Sequence, residues 1–104
     1  METDAEPERV ARLSYFFPAH NEEANLEGLV EEALAVLPTL AETFEIIAVN
    51  DGSRDRTAAI ADDLTARHPG IVRAVHHPTN LGYGAALRSG FAAATKDLVF
   101  YTDG

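Results

Sequence analysis

Cysteine is absent from the 104 residues, which excludes disulfides, cysteine-ligated zinc and thiol nucleophiles and leaves nothing to report a redox compartment. Lysine occurs once, at Lys96, and 8 basic residues face 17 acidic ones for a formal net charge of −9. Such a field opposes non-specific contact with nucleic acid, because phosphate contacts need Lys and Arg; nucleic acid is excluded as a partner class. Any phosphate-bearing ligand would need a cation or backbone donors. Long apolar runs are also missing, since none approaches the roughly 18 residues of a membrane helix. The opening METDAEPERVAR is acidic where a secretory leader is basic and then apolar. The reading is therefore of a cytoplasmic chain with neither span nor leader.

The composition present is that of a globular domain, 46% hydrophobic and 24% charged, with moderate Gly (7) and Pro (5). One hundred and four residues suit one small domain with a single core. The negative charge is local: residues 1–45 hold eleven acids against Arg9 and Arg12, whereas residues 46–104 hold six of each sign. Residues 1–12, polar and without periodicity, are expected to form a flexible acidic arm.

From Leu13 onward the pattern alternates. Leu13–Phe17 is a short apolar run broken at Pro18, and Leu26, Leu29, Val30, Ala33, Leu34 and Leu37 then recur at helical spacing up to Pro38. Phe44–Val49 is a second run, followed by a helical pattern over Thr57–Arg67 that ends at His68-Pro69-Gly70. Ile71–Val75 is the third run, His76–Asn80 a polar link, and Tyr83–Ala94 a small-residue helix with Leu87, Phe91 and Ala94 on its apolar face. Leu98–Thr102 is the fourth run.

This βαβαβαβ order predicts an α/β fold: a mainly parallel sheet with helices on both faces, its ligand site at the carboxyl ends of the strands. The segments there are Pro18–Glu23, Asn50–Asp55, His76–Gly84 and Asp103-Gly104. Three carry carboxylates. At about 5 Å and an effective dielectric of about 20, two such charges repel by roughly 3 kcal/mol, so they require an offset from a cation or from ligand donors. Ser53 and Asp55 read as helix caps, and Glu23 as an acid favoured at a helix start. Asp51, between a strand and Gly52, is placed to accept hydrogen bonds from a base or sugar. Asp103 is a candidate metal ligand. Neighbouring His76 and His77 would point to opposite sides of an extended chain, have no third ligand nearby and read as loop residues.

The motifs Pro18-Ala19-His20-Asn21-Glu22-Glu23, Val49-Asn50-Asp51-Gly52-Ser53-Arg54-Asp55-Arg56-Thr57, Asn80-Leu81-Gly82-Tyr83-Gly84-Ala85-Ala86-Leu87-Arg88-Ser89-Gly90 and Phe100-Tyr101-Thr102-Asp103-Gly104 together resemble the family 2 glycosyltransferases of the GT-A fold, closest in character to the dolichyl- or polyprenyl-phosphate sugar synthases. The resemblance covers residues 13–104 and implies the Rossmann-like, nucleotide-sugar-binding half of such an enzyme. By the same resemblance, Glu22 and Asp51 hold the nucleotide of a UDP- or GDP-sugar, Pro18, His20 and Val49 line the base pocket, and Asp103-Gly104 reaches the donor. Asp103 would then be the first Asp of an Asp-x-Asp that holds Mg²⁺ or Mn²⁺ against the diphosphate. The acceptor implied is a hydroxyl or a polyprenyl phosphate, which would bring the full-length parent to the inner face of a membrane. Here His20 stands where Tyr is frequent and Asn50 where a first Asp is frequent.

Because Asp103-Gly104 closes the chain directly after the fourth strand, the expectation is a C-terminally truncated donor-binding part, inactive alone, with its catalytic base beyond it. An exposed last strand would allow a homodimer through Leu98–Thr102. Two rivals fit less well: a dinucleotide fingerprint would need its third Gly at Leu87, and a receiver domain would need a Lys after a late strand, whereas Lys96 precedes the fourth. The alternative is a non-catalytic nucleotide-binding or interaction domain of the same α/β class, which the missing second Asp of the metal motif favours for this chain taken alone. Arg88 could reach a phosphate or remain a surface side chain.

Overall fold

The computed structural model describes residues 9–102. Its elements are β1 (Val10–Ala19), α1 (Leu26–Val36), a 3₁₀ turn (Leu37–Thr39), β2 (Ala41–Asp51), α2 (Thr57–Arg67), β3 (Val72–His77), α3 (Tyr83–Ala93) and β4 (Leu98–Tyr101). The four strands form one sheet in the order β3-β2-β1-β4. Every pairing is parallel, with Phe16 opposite Ile47 on one side and Tyr101 on the other.

Leu13–Phe17 is apolar except for Ser14, because both faces of β1 are covered. Leu13, Tyr15 and Phe17 face α1 and α2, where they pack with Leu26, Val30, Ala33, Ala61 and Leu64. Phe16 faces the other way, with Ile47, Val49 and Ala86 under α3. β2 and β3 extend the sheet to one side of β1, whereas β4 lies on the other. The direction of the crossovers therefore reverses at β1, and right-handed connections put α1 and α2 on one face and α3 on the opposite one. In such sheets the crevice for a ligand opens beside the strand where the order reverses.

Four expectations need correction. Val10–Arg12 is part of β1, where Val10 pairs with Ala41 and its N–H donates to the Leu40 carbonyl at 2.9 Å, so these residues are not part of the expected arm; residues 1–8 lie outside the described residues. Pro18 does not break the run, because β1 continues through it to Ala19. His76 and His77 are strand residues, extending β3 to pair with Asn50 and Asp51. Of the expected apolar face of α3, Leu87 and Ala94 do pack against the core, but the fully buried positions are Ala86 and Gly90, and Phe91 is 50% exposed. The reason is Phe16: a Cβ on Gly90 would run into its ring, so only a glycine lets the helix lie this close to the sheet.

Candidate functional site

The loops after β1 and β2 are fastened to each other through their motif residues. The Asn21 N–H donates to Ser53 Oγ (2.9 Å), and Asn21 Oδ1 accepts from the Arg54 N–H (2.8 Å). Asn21 sits at φ +55, a conformation asparagine tolerates because its short side chain bonds locally. The Glu22 N–H donates to Thr57 Oγ1 (2.8 Å) and the Glu23 N–H to Asp55 Oδ2 (3.2 Å), while Glu23 Oε1 accepts from the Arg56 N–H (2.9 Å). Asp55 Oδ1 also accepts from the Thr57 N–H and hydroxyl, which bears out its role at the start of α2. Burial opposes its charge, but the Thr57 and Glu23 donors hold its pKa below the ordinary value. Ser53 differs from expectation: its hydroxyl serves the first loop.

The β3–α3 loop closes over this pair. Gly52, at φ +66, lies under the backbone of Thr79 and Asn80, which a Cβ there would strike. His20 joins all three loops. The carbonyl of Asp51 can only accept, so Nδ1 of His20 carries the proton donated to it at 2.8 Å; Nε2 is then the acceptor for the Asn80 amide at 3.1 Å. The side chain of Asn50 accepts from the Ser53 N–H (3.1 Å) and meets His76 Nδ1 (2.9 Å), whose Nε2 lies 2.8 Å from Asp62.

Asp51 ends β2 with its carboxylate buried. Oδ1 accepts from His77 Nδ1 and from the Leu81 N–H, both at 2.8 Å, and Oδ2 accepts from the Gly82 N–H at 3.0 Å. Burial would raise its pKa, but the His77 hydrogen bond, the Leu81 and Gly82 N–H groups and the charge of His77 outweigh it and hold the carboxyl below its ordinary range. The offset expected from a cation or ligand thus comes from the protein itself. Of about four acceptor positions on a carboxylate, one on Oδ2 takes no hydrogen bond from the described residues.

Two clefts share His20 and Asn80 as a wall. One, about 550 Å³, runs over Asn21, Gly52–Arg54 and Pro78–Asn80. The other, about 270 Å³, is lined by Pro18, His20, Glu22, Asp51, Gly82 and Tyr83 among others. Pro18, His20, Glu22 and Asp51 are thus brought together. Glu22 Oε1 accepts from the Asn25 amide at 3.2 Å. Val49 is not brought in: it shares a face of β2 with Asp51 but lies two residues further from the strand's carboxyl end, where it is fully buried with Phe16, Ile47 and Ala86, and it lines neither cleft. Asp103 and Gly104 lie outside the described residues. Among the described residues no group of three His, Asp or Glu side chains could hold a metal ion. Arg88 is exposed on α3.

The sequence reading missed His77, Leu81 and Asn80 as site elements. His77 faces Asp51 in the parallel register, a pairing that a strand prediction ending at Val75 could not contain.

Among protein families, the model described as Glycosyl transferase family 2 matches residues 14–104. A dolichyl-phosphate beta-glucosyltransferase of Trichomonas vaginalis is 36% identical over 95 residues, 86% of this chain and 28% of its own length. An undecaprenyl-phosphate 4-deoxy-4-formamido-L-arabinose transferase of Pseudomonas aeruginosa is 37% identical over 97 residues, 93% of this chain and 29% of its own. The chain thus spans less than a third of the curated relatives it matches. A solved structure, the mannosyltransferase PcManGT from Pyrobaculum calidifontis in complex with GDP-Man and Mn²⁺, superposes with a TM-score of 0.72 at 20% identity, covering 86% of this chain and 26% of that one. At that identity the match shows a shared fold.

Proposed function

This chain belongs to glycosyl transferase family 2, and from that premise we propose that it is the donor-binding part of an enzyme that moves a sugar from a nucleoside-diphosphate sugar to a polyprenyl phosphate. The observation that carries the reading is the convergence of Pro18, His20, Glu22 and Asp51 on one cleft at the carboxyl edge of a parallel sheet. Relatives named for dolichyl- and undecaprenyl-phosphate acceptors support the acceptor class. Such an acceptor places the parent at the inner face of a membrane, its donor half in the cytoplasm; no helix among the described residues is long and apolar enough to cross one.

In this reading the base and ribose of UDP or GDP enter the cleft. Pro18 and His20 supply its wall, the open position on Asp51 Oδ2 accepts an N–H or hydroxyl of the nucleoside, and Glu22 accepts a second. The acceptor oxygen forms its bond to the anomeric carbon as the bond to the nucleoside diphosphate breaks, which inverts that carbon. Mg²⁺ or Mn²⁺ would be held by Asp103 and would neutralise the leaving diphosphate.

Titration of the 104-residue chain with UDP and GDP, followed by calorimetry and amide shifts with Mn²⁺ or Mg²⁺ present, tests the proposal. Binding centred on His20, Asp51 and Gly82, without sugar transfer by the chain alone, is expected. Absence of binding at millimolar nucleotide, in this chain and in a longer one, would overturn it.

A further inference from the structure

We propose that His77, which lines neither cleft, is a positioning residue of the donor site and acts through Asp51. The proposal rests on the donor-binding reading above. It starts from the strand register: β3 carries His77 directly opposite Asp51, and both side chains project to the α3 face. The His77 side chain is 8% exposed and that of Asp51 6%, so neither can exchange its partner for water freely. Asp51 is a pure acceptor when ionised, so Nδ1 of His77 carries the proton that bonds it; Nε2 meets Ser89 Oγ at 2.7 Å, two turns into α3.

The consequence is a connected line from the body of α3, through the imidazole, to the carboxylate that holds the Leu81 and Gly82 N–H groups at the start of the same helix. The order of groups is that of a hydrolytic triad. Ser89 opens onto neither cleft, however, so the array orients and does not attack. With two bonds on Oδ1 and one on Oδ2, the carboxylate is held against rotation where it lines the cleft. Without His77, one bond to Oδ1 is lost, the carboxylate gains rotational freedom, and both the Leu81–Gly82 loop and the open acceptor position lose their fixed place.

The test uses two polar substitutions of similar bulk. An asparagine amide lies one bond nearer the backbone than that of glutamine, so His77→Asn supplies an N–H near the place of Nδ1, and His77→Gln supplies one near Nε2. The measurements on the 104-residue chain are the affinity for UDP and GDP and the hydrogen-exchange protection of the Leu81 and Gly82 amides, with thermal unfolding as control. His77→Gln is expected to bind about tenfold or more weakly and to lose that protection, as for loss of a bond to a charged group, and His77→Asn to recover both. Ser89→Ala should fall between them. Equal affinity and protection in His77→Gln and the parent chain, or equal losses in both His77 variants with unfolding unchanged, would overturn the proposal. If the parent chain binds neither nucleotide, the donor reading fails, and the exchange arm alone decides the relay: protection lost in His77→Gln and regained in His77→Asn upholds it, and unchanged protection rejects it.

Discussion

Asp51 and Glu45, six residues apart on one face of β2, hold opposite ends of the α3 segment. Asp51 accepts the N–H groups of Leu81 and Gly82 before the helix, and Glu45 Oε2 accepts the N–H and hydroxyl of Thr95 after it, at 2.8 and 2.9 Å. Glu45 is 4% exposed and is completed by the Ser14 hydroxyl at 2.6 Å and by Arg73, whose guanidinium also reaches the Ala93 carbonyl. Two acids on one strand thus tie down both ends of a helix of small residues.

Asp51→Ala is expected to weaken nucleotide binding by about 1.5–3 kcal/mol, the range for a hydrogen bond to a charged group. Calorimetry on folded protein checks it. An unchanged affinity would leave Asp51 with only its bonds to His77 and the Leu81–Gly82 loop.

Burial would raise the pKa of Glu45, but the bonds from Ser14 and Thr95 and the charge of Arg73 hold it lower than usual, and Asp51 is lowered likewise. The unfolded chain therefore binds more protons than the folded one as pH falls. Their stabilisation is complete above the ordinary carboxylate range of roughly 4 and disappears as pH drops through the lowered folded-state values. Urea unfolding between pH 7 and pH 3 should show Glu45→Gln less stable by about 1–3 kcal/mol at pH 7, with the gap narrowing in acid. A pH-independent gap would contradict the assignment.

Gly90→Ala should destabilise by about 1–3 kcal/mol, because its methyl group meets the Phe16 ring in a packed core. Gly52→Ala combines a positive φ with the overlying Thr79–Asn80 backbone and should, in addition, disturb the cleft. Thermal unfolding and nucleotide titration separate the two: Gly90→Ala lowers stability first, and Gly52→Ala lowers both. Wild-type melting of either variant would refute the packing argument.

β4 is the edge of the described sheet, with Leu98 and Phe100 about half exposed and no Pro or charge within the strand. Such an edge pairs readily, so the 104-residue chain is expected to self-associate through it. Light scattering over a concentration series should show association that Leu98→Lys abolishes. A monomer at all concentrations, or a dimer indifferent to the substitution, removes the idea.

The element order was legible in the sequence because hydrophobic periodicity is local: Thr57–Arg67 follows from the spacing of Ile60, Ala61 and Leu64 alone. The motifs after the first three strands lie at the carboxyl ends of those strands, and Pro18, His20, Glu22 and Asp51 do share a cleft there. Only the tertiary structure decided what those residues touch. Asp51 and His77 are 26 residues apart, Glu45 and Thr95 are 50, and Gly90 meets Phe16 across the α3–sheet interface. Each contact depends on strand order and register, which no local pattern carries. A buried acid also reads in sequence like an exposed one until the donors that surround it are in place.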